Sequence, residues 1–189
     1  MKKVTKKYLT VFAIAFGFTF VWAGCDPGSS PSTPSSPALI DACGLLTNAE
    51  ATVILGKAIV TAKMDTGSGY ITHCSYQADL STGAGILPPH IDLTVFNTAG
   101  MQDHFHSTTL NVPSNFATLK STTPAADQLQ LTGIGNDAIW LKKPGKLELY
   151  KGDVEVSVIF SLNGTPLVDT SAASLNGAKA AGIKVAAKL

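Results

Sequence analysis

Arginine is absent from this sequence: all 14 basic residues are lysine, and the 13 acidic residues all lie at or beyond Asp26. Arginine makes bidentate contacts to phosphate and guanine, so its absence argues against nucleic acid as a partner. Charged residues make up only 14% and aromatic residues 7% of the chain, whereas 45% of it is hydrophobic. This balance excludes a disordered polymer, and the length of 189 residues predicts one ordinary domain.

The apolar stretch near the N-terminus is too short to span a membrane. Residues 9–22 form a run of 14 residues, whereas a helix that crosses a bilayer needs about 20. Four lysines precede this run, and the small pair Ala23-Gly24 follows it, an order that is typical of a bacterial export signal. We therefore predict that residues 1–24 are a signal peptide.

The segment Ala23-Gly24-Cys25 resembles the lipobox of bacterial lipoproteins, in which the cysteine thiol is acylated and becomes the new N-terminus. The resemblance implies that Cys25 carries a lipid anchor with acyl chains such as palmitate, and that the domain faces the periplasm or the exterior. An alternative stays open, because Val21 and Ala23 also fit an ordinary signal peptidase site that would release a soluble protein. Without residues 1–24 the net charge is −3.

The residues that follow Cys25 favour the anchored form. Residues 25–38 are rich in proline and serine and contain no large apolar side chain, so we predict a semi-rigid tether with a reach of roughly 40 Å. One of the three cysteines is consumed by lipid in this interpretation, which leaves Cys43 and Cys74 as a pair. In an oxidising compartment such a pair predicts a disulfide, worth about 3 to 4 kcal/mol.

Residues 39–189 are predicted to form a single extracytoplasmic α+β domain. Thr47 and Glu50 form a capping box and Gly56 can end the helix, so we expect a short helix over 48–55. Thr98 is expected to cap a second short helix, whereas 107–126 is expected to be mostly irregular. The Ala-rich segment 171–189 predicts a C-terminal helix packed on one face of the sheet. Alternating apolar residues predict a mainly antiparallel sheet of about five strands, 71–77, 91–96, 138–142, 146–150 and 154–161, with a further possibility at 129–132.

The last two strands leave two hairpin registers to choose between. A loop of Lys151-Gly152 would put Glu148 opposite Glu155, an unfavourable like-charge pair. A loop of Gly152-Asp153 avoids that pair and places glycine at the first position of a type II′ turn. We therefore predict the second register, with Gly152 at positive φ.

The opening of the domain, Asp41-Ala-Cys43-Gly-Leu-Leu-Thr47, is followed by a second cysteine in a strand and by the turn Gly133-Ile-Gly135-Asn-Asp137-Ala138. These features resemble an uncharacterised bacterial lipoprotein family, common in actinobacteria, whose domain opens D-P-C-x-L-L-T and contains a G-x-G-D-x-A-like turn. The resemblance covers about 41–189, with Ala42 in place of the proline and Asn136 inserted before the acid. It implies the fold and the location, but no mechanism.

Two segments of the sequence could form a metal site or a cofactor site. If residues 103–106 were extended, His104 and His106 would share a strand face with His90 or Asp92 as a third ligand. In the short helix that we expect, the two side chains point about 200° apart, so we predict a solvated histidine pair and no metal. The glycines of 133–138 match the letters of a dinucleotide fingerprint, but a strand-like segment follows them, which predicts a turn and no cofactor.

No recognised nucleophile motif is present in the sequence. Glu148, Asp153 and Glu155 would suit acid/base chemistry, but we expect them to be edge charges that oppose aggregation. Two functions therefore stay open. The favoured one is a non-catalytic binding or interaction module for an unknown protein or small ligand, which uses the solvent face of the sheet or 107–126. The alternative is a metal-dependent or hydrolytic exported enzyme that uses His90, Asp92, His104 and His106.

Overall fold

Alternating apolar and polar side chains build one antiparallel sheet. The computed structural model describes residues 38–66, 69–79, 88–162 and 171–189. Within them the strands are β1 Ile59–Thr66, β2 Ile71–Ala78, β3 His90–Asn97, β4 Gln128–Leu131, β5 Asp137–Leu141, β6 Lys146–Lys151 and β7 Val154–Ser161. The spatial order is β1-β2-β3-β7-β6-β5-β4, and all neighbours are antiparallel. The predicted signal peptide, Cys25 and nearly all of the predicted tether lie outside the described residues.

The described part of the chain therefore has seven strands where the sequence predicted about five. The α+β class, the antiparallel sheet and the C-terminal helix are confirmed. The strand that was missed, β1, lies at an edge of the sheet and exposes most of its side chains, including Met64 at 50%. An edge strand buries little on either face, so it lacks the apolar alternation that marks a strand.

Four helices accompany the sheet in the described ranges: α1 Asn48–Leu55, α2 Thr98–Phe105, α3 Val112–Thr122 and α4 Ala172–Lys188. The predicted capping box of α1 is confirmed, because the Glu50 N–H donates to Thr47 Oγ1 at 3.2 Å and the Thr47 N–H donates to Glu50 Oε2 at 2.9 Å. Hydrogen bonds from Lys188 of α4 and from Thr47 lower the pKa of Glu50 to about 2. Gly56 ends the helix in the left-handed conformation, with φ 65°.

Two predictions about the middle of the chain were wrong. The segment 107–126 is not mostly irregular, because it contains α3, which begins after Asn111. The Asn111 side chain accepts the Ser114 N–H at 2.9 Å, and Pro113 occupies the first turn, where its missing N–H costs nothing. The cap of α2 is Asn97 and not Thr98, since Asn97 Oδ1 accepts the Gly100 N–H at 2.7 Å.

One face of the sheet, which we call the core face, is apolar and is covered by α1 and α4. Its central side chains are fully buried: Ile91, Leu93, Val95, Leu147, Leu149, Val156 and Val158. Helix α4 approaches the sheet closely because its contact positions are small. A Cβ atom at Gly177 would lie 2.5 Å from the Phe160 ring, and one at Gly182 would lie 2.5 Å from Leu147 Cδ2. The small residues of this Ala-rich helix thus form its packing surface.

The predicted disulfide joins the N-terminal segment to the core face. Cys43 lies in a short 3-10 turn, Ala42–Gly44, and Cys74 lies in β2; their Cα atoms are 5.2 Å apart. The buried Tyr76 hydroxyl donates to the carbonyls of Leu46 and Cys43, and burial raises the pKa of Tyr76 to about 12. All described residues belong to one compact unit. Among their helices, none combines the length and the apolar character needed to cross a membrane.

Candidate functional site

The second face of the sheet carries polar side chains across its four central strands. The register places these residues on the face opposite Leu147, Leu149, Val156 and Val158, and we call them the polar face: His73, Ser75, His90, Asp92, Thr94, Lys146, Glu148, Glu155, Ser157 and Ser161. Thr94 of β3 lies opposite Ser157 of β7, which in turn lies opposite Glu148 of β6. A continuous row of polar groups therefore crosses the middle of the sheet.

The predicted hairpin register is confirmed, and it sets the position of two carboxylates. Tyr150 pairs with Glu155 and Glu148 pairs with Ser157, while Gly152 has φ 62°. Glu148 and Glu155 are each only 3% exposed, so the prediction that they are edge charges was wrong. They lie on central strands beneath α3, whereas Asp153 is exposed in the turn.

Each buried carboxylate has its own hydrogen-bond donor. Ser157 Oγ donates to Glu148 Oε2 at 2.5 Å, and Lys146 forms an ion pair with the same carboxylate. Asn115 of α3 donates from Nδ2 to Glu155 Oε2 at 3.0 Å. Burial, helped by the nearby Glu148 charge, raises the pKa of Glu155 to about 7 despite the hydrogen bond from Asn115. Glu155 therefore changes its charge near neutral pH while α3 is docked on it.

A second cluster surrounds Asp92 on the same face. His73 Nε2 lies 3.9 Å from Asp92 Oδ1, and His90 Nε2 lies 3.7 Å from Asp92 Oδ2. The Oδ1 atom is buried and has no hydrogen-bond partner in the part of the chain that the structure describes, and the same holds for the hydroxyl of Ser161, which lies opposite His90. A buried acceptor without a donor is costly, so this cluster is suited to a group that donates hydrogen bonds.

The tautomer of His90 limits the chemistry of that cluster. Its Nδ1 lies 2.9 Å from the carbonyl oxygen of Pro88, which can only accept, so Nδ1 carries the proton. In a serine hydrolase triad this nitrogen would donate to a carboxylate. The Nε2 atom instead faces Asp92. His90 and Asp92 therefore lack the arrangement that activates a serine.

The four residues of the predicted metal alternative do not come together. His90 and Asp92 lie on β3, whereas His104 lies on α2 with its ring 4.5 Å from that of Tyr70. His106 ends α2 at φ 50°, and both helix histidines are exposed, so the predicted solvated pair is confirmed. Across the described ranges no group of three His, Cys, Asp or Glu side chains is placed to hold a metal ion.

The glycine motif is a turn, as predicted. Gly133 and Gly135 have φ 78° and 61° and connect β4 to β5, with no helix between them. The Asn136 N–H donates to the Tyr150 carbonyl at 2.8 Å, and a Cβ atom at Gly135 would collide with that carbonyl. The motif thus fastens the turn to β6 and offers no helix N-terminus for a pyrophosphate.

Helix α3 borders the polar face, and an open cavity of about 330 Å³ lies beside it. The cavity is lined by Pro113, Phe116, Ala117, Lys120, Ser121, Asp137 and Tyr150. Lys120 Nζ donates to Asp137 Oδ2 at 2.7 Å across it. Burial alone would raise the pKa of Asp137, but hydrogen bonds from Lys120 and Gln130 lower it overall. This ion pair and the Phe116 ring hold α3 against β5 and β6.

Sequence reasoning missed the burial of Glu148 and Glu155, although the predicted register already placed them on one face. The signal that was available was the amphipathic spacing of Val112, Phe116 and Leu119, which marks the helix that covers them. Comparison of the chain with models of protein families, with curated proteins and with solved structures finds no match. The function must therefore be argued from the site itself.

Proposed function

We propose that the protein is a membrane-anchored extracytoplasmic lipoprotein whose domain acts as a non-catalytic binding module, with the polar face as its ligand surface. The lysine-rich start, the short apolar run and the Ala23-Gly24-Cys25 segment support export and acylation. The Cys43–Cys74 disulfide supports an oxidising compartment. The resemblance to the actinobacterial-type lipoproteins is part of the same proposal.

The observation that carries the binding role is the Asp92 cluster. The side chain of Asp92 is 25% exposed and the imidazole of His73 is 36% exposed, so the cluster is open to solvent at its rim, although Asp92 Oδ1 itself is buried. Asp92 Oδ1 and Ser161 Oγ have no hydrogen-bond partner among the described residues, and Asp92 Oδ1 can only accept. An unpartnered carboxylate oxygen beside an unpartnered hydroxyl suits a small ligand that donates hydrogen bonds, such as one that bears an ammonium group.

A thermal unfolding titration tests the ligand class. Glucosamine, which carries an ammonium group, is compared with glucose, which does not. We expect glucosamine alone to raise the unfolding temperature, and we expect Asp92→Asn to abolish the increase. Asp103→Asn is the matched control, because Asp103 is an exposed carboxylate on α2. Equal responses to the two sugars, or a response that survives in Asp92→Asn, would exclude this role for Asp92.

The anchor is tested by mass spectrometry of the full-length protein recovered from membranes. We expect the mass of a diacylglycerol adduct on Cys25 in the wild type, and its loss in Cys25→Ser. Ser29→Ala in the predicted tether is the control and should keep the adduct. An unmodified mature protein that begins at Gly24 would show that ordinary signal peptidase cleavage is correct.

The alternative, an exported metal-dependent or hydrolytic enzyme, makes an opposite prediction about metal content. Elemental analysis of protein purified without added zinc should find no stoichiometric metal. If one metal ion per chain were present, and if His90→Ala but not the exposed Lys57→Ala removed it, then a metal-dependent enzyme with a site at His90 and Asp92 would replace the binding module.

A further inference from the structure

The two edges of the sheet differ in length and in composition. β4, at one edge, has four residues, whereas β1, at the other, has eight. The ladder between β1 and β2 is irregular between Ile59 and Thr61, and it is regular from there to Thr66. β1 thus presents a regular stretch, residues 61–66, whose outer side has no neighbouring strand among the described residues.

The exposed side chains of this edge have alternating character. Lys63 and Asp65 point to one face and Met64 points to the other, because successive residues of a strand alternate. All three are exposed, Met64 at 50%, and the apolar Val60 of the same strand is 60% exposed. An uncovered strand of this kind is a template for pairing with another chain.

The charges select one antiparallel register for a pair of identical β1 strands. In a two-fold pair, residues directly opposite each other share a face, so one residue must lie opposite its own copy. With Lys63 or Asp65 at the axis, two like charges would meet, which is unfavourable. With Met64 at the axis, Lys63 of each copy lies opposite Asp65 of the other. Ala62 then lies opposite Thr66, and the ladder stays within the regular stretch.

We propose that the β1 edge is a homodimer interface, in which β1 pairs antiparallel with β1 of a second copy. Met64 lies opposite Met64 of the second copy, and two Lys63–Asp65 ion pairs flank this contact. The pairing joins the seven described strands of each copy into one continuous sheet. The partner is a second copy because Lys-x-Asp is complementary to itself only when the strand runs antiparallel to an identical one.

A competing explanation is that Lys63 and Asp65 protect the edge from pairing. Charged residues on an edge strand commonly have that function. The two explanations predict opposite effects of reversing one charge. If the charges protect, reversal should leave a monomer; if they pair, reversal should disrupt a dimer, and a second reversal should restore it.

Light scattering of the full-length chain in detergent measures the oligomeric state. We expect a dimer for the wild type, and we expect Lys63→Asp to raise the dissociation constant by about tenfold or more, because two attractive pairs become repulsive. Asp65→Lys should have a similar effect. The double variant Lys63→Asp/Asp65→Lys should restore dimerisation, since the pairs are re-formed with their signs exchanged.

Lys57→Asp is the matched control, because Lys57 is an exposed lysine just before β1 and the substitution changes the net charge equally. It should leave the dimer intact. Zero-length carbodiimide coupling provides a direct readout: dimer-sized product should contain a Lys63–Asp65 amide. Circular dichroism verifies that each variant is folded. A monomeric wild type, equal loss in Lys57→Asp, or a folded double variant that stays monomeric would each overturn the proposal.

Discussion

The two faces of the sheet are built from the same strands but bury different kinds of side chain. On the core face, β6 and β7 bury Leu147, Leu149, Val156 and Val158 against α4, with no polar side chain among them. On the polar face, the alternate residues of those two strands include Glu148 and Glu155, equally buried beneath α3. Burial of apolar side chains stabilises the core face, whereas burial of the two carboxylates on the polar face costs electrostatic free energy.

The helices that cover the two faces are also held in place by different kinds of interaction. The core face is held by α1 and α4, and the disulfide fastens the N-terminal segment to it. Over the polar face, α3 is held by the Phe116 cluster and by two polar contacts, Asn115 with Glu155 and Lys120 with Asp137. A face kept polar beneath a helix is less stable than an apolar one would be. Such positions are common at binding sites, where polar groups must be available to a ligand.

The largest effect is expected on the core face, from removal of the disulfide. The double substitution Cys43→Ala/Cys74→Ala avoids a free thiol and should lower the free energy of unfolding by about 2 to 5 kcal/mol, because the unfolded chain regains the entropy of an open loop. Urea unfolding measures this change in the free energy of unfolding. Ser75→Ala, the next residue on the polar face, should change the value by less than about 0.5 kcal/mol. Equal midpoints for the double variant and the wild type would contradict the prediction.

On the polar face, Glu155→Gln should stabilise the protein in a pH-dependent way. Below the ordinary pKa of 4.5, Glu155 is protonated in both the folded and the unfolded chain. As pH rises from 4.5 to about 7, the unfolded chain loses the proton while the folded chain keeps it, so the folded state loses stability over that window. At pH 8 the gain from the substitution should approach about 3 kcal/mol, and near pH 4.5 it should vanish.

Denaturant unfolding at several pH values measures this difference. Asp153→Asn is the control, because it removes an exposed carboxylate from the same hairpin. We expect that variant to follow the wild type at all pH values. A Glu155→Gln variant that is less stable than the wild type at pH 8 would show that the ionised carboxylate is needed to hold Asn115.

An intermediate effect is expected where α4 packs on the core face. Gly177→Val would put side-chain atoms into the space of the Phe160 ring, since even a Cβ atom there lies 2.5 Å from it. Overpacking of this kind should lower the free energy of unfolding by about 1 to 3 kcal/mol. The neighbouring Asn176 is exposed, so Asn176→Ala should be neutral within about 0.5 kcal/mol. Similar thermal midpoints for the two variants would mean that α4 can shift away without loss.

The smallest effect is expected at the polar contact between α3 and β5. Lys120 and Asp137 are 32% and 25% exposed, so Lys120→Met should cost roughly 0.5 to 1 kcal/mol, and less at high salt. Lys143→Met is the matched control, because Lys143 is 79% exposed and lies 3.9 Å from Asp127. If the two substitutions cost the same, the Lys120 ion pair contributes nothing to the docking of α3.

The sequence predicted those features that depend on residues close together in the chain. The capping box of α1 depends on residues three apart, and the hairpin register of β6 and β7 depends on one turn and two charges. Helix α3 was missed because a composition rich in Ser, Thr and Pro favours irregular structure, while the helix is stabilised by Phe116 and Leu119 packing on strands that follow later in the chain. The edge strand β1 was missed because an edge strand buries few side chains on either face of the sheet and so lacks apolar alternation.

The sequence by itself determined the central antiparallel strands, the pairing of Cys43 with Cys74 and the face on which Glu148 and Glu155 lie. Alternation and turn chemistry act between residues that are close in the chain, and the disulfide follows from the number of cysteines. Only the tertiary structure decided that those glutamates are buried and that His73 and His90 converge on Asp92 while His104 and His106 lie elsewhere. The physical reason is that burial and convergence depend on which distant elements pack together, and strand neighbours in space are set by long-range register that no local pattern contains.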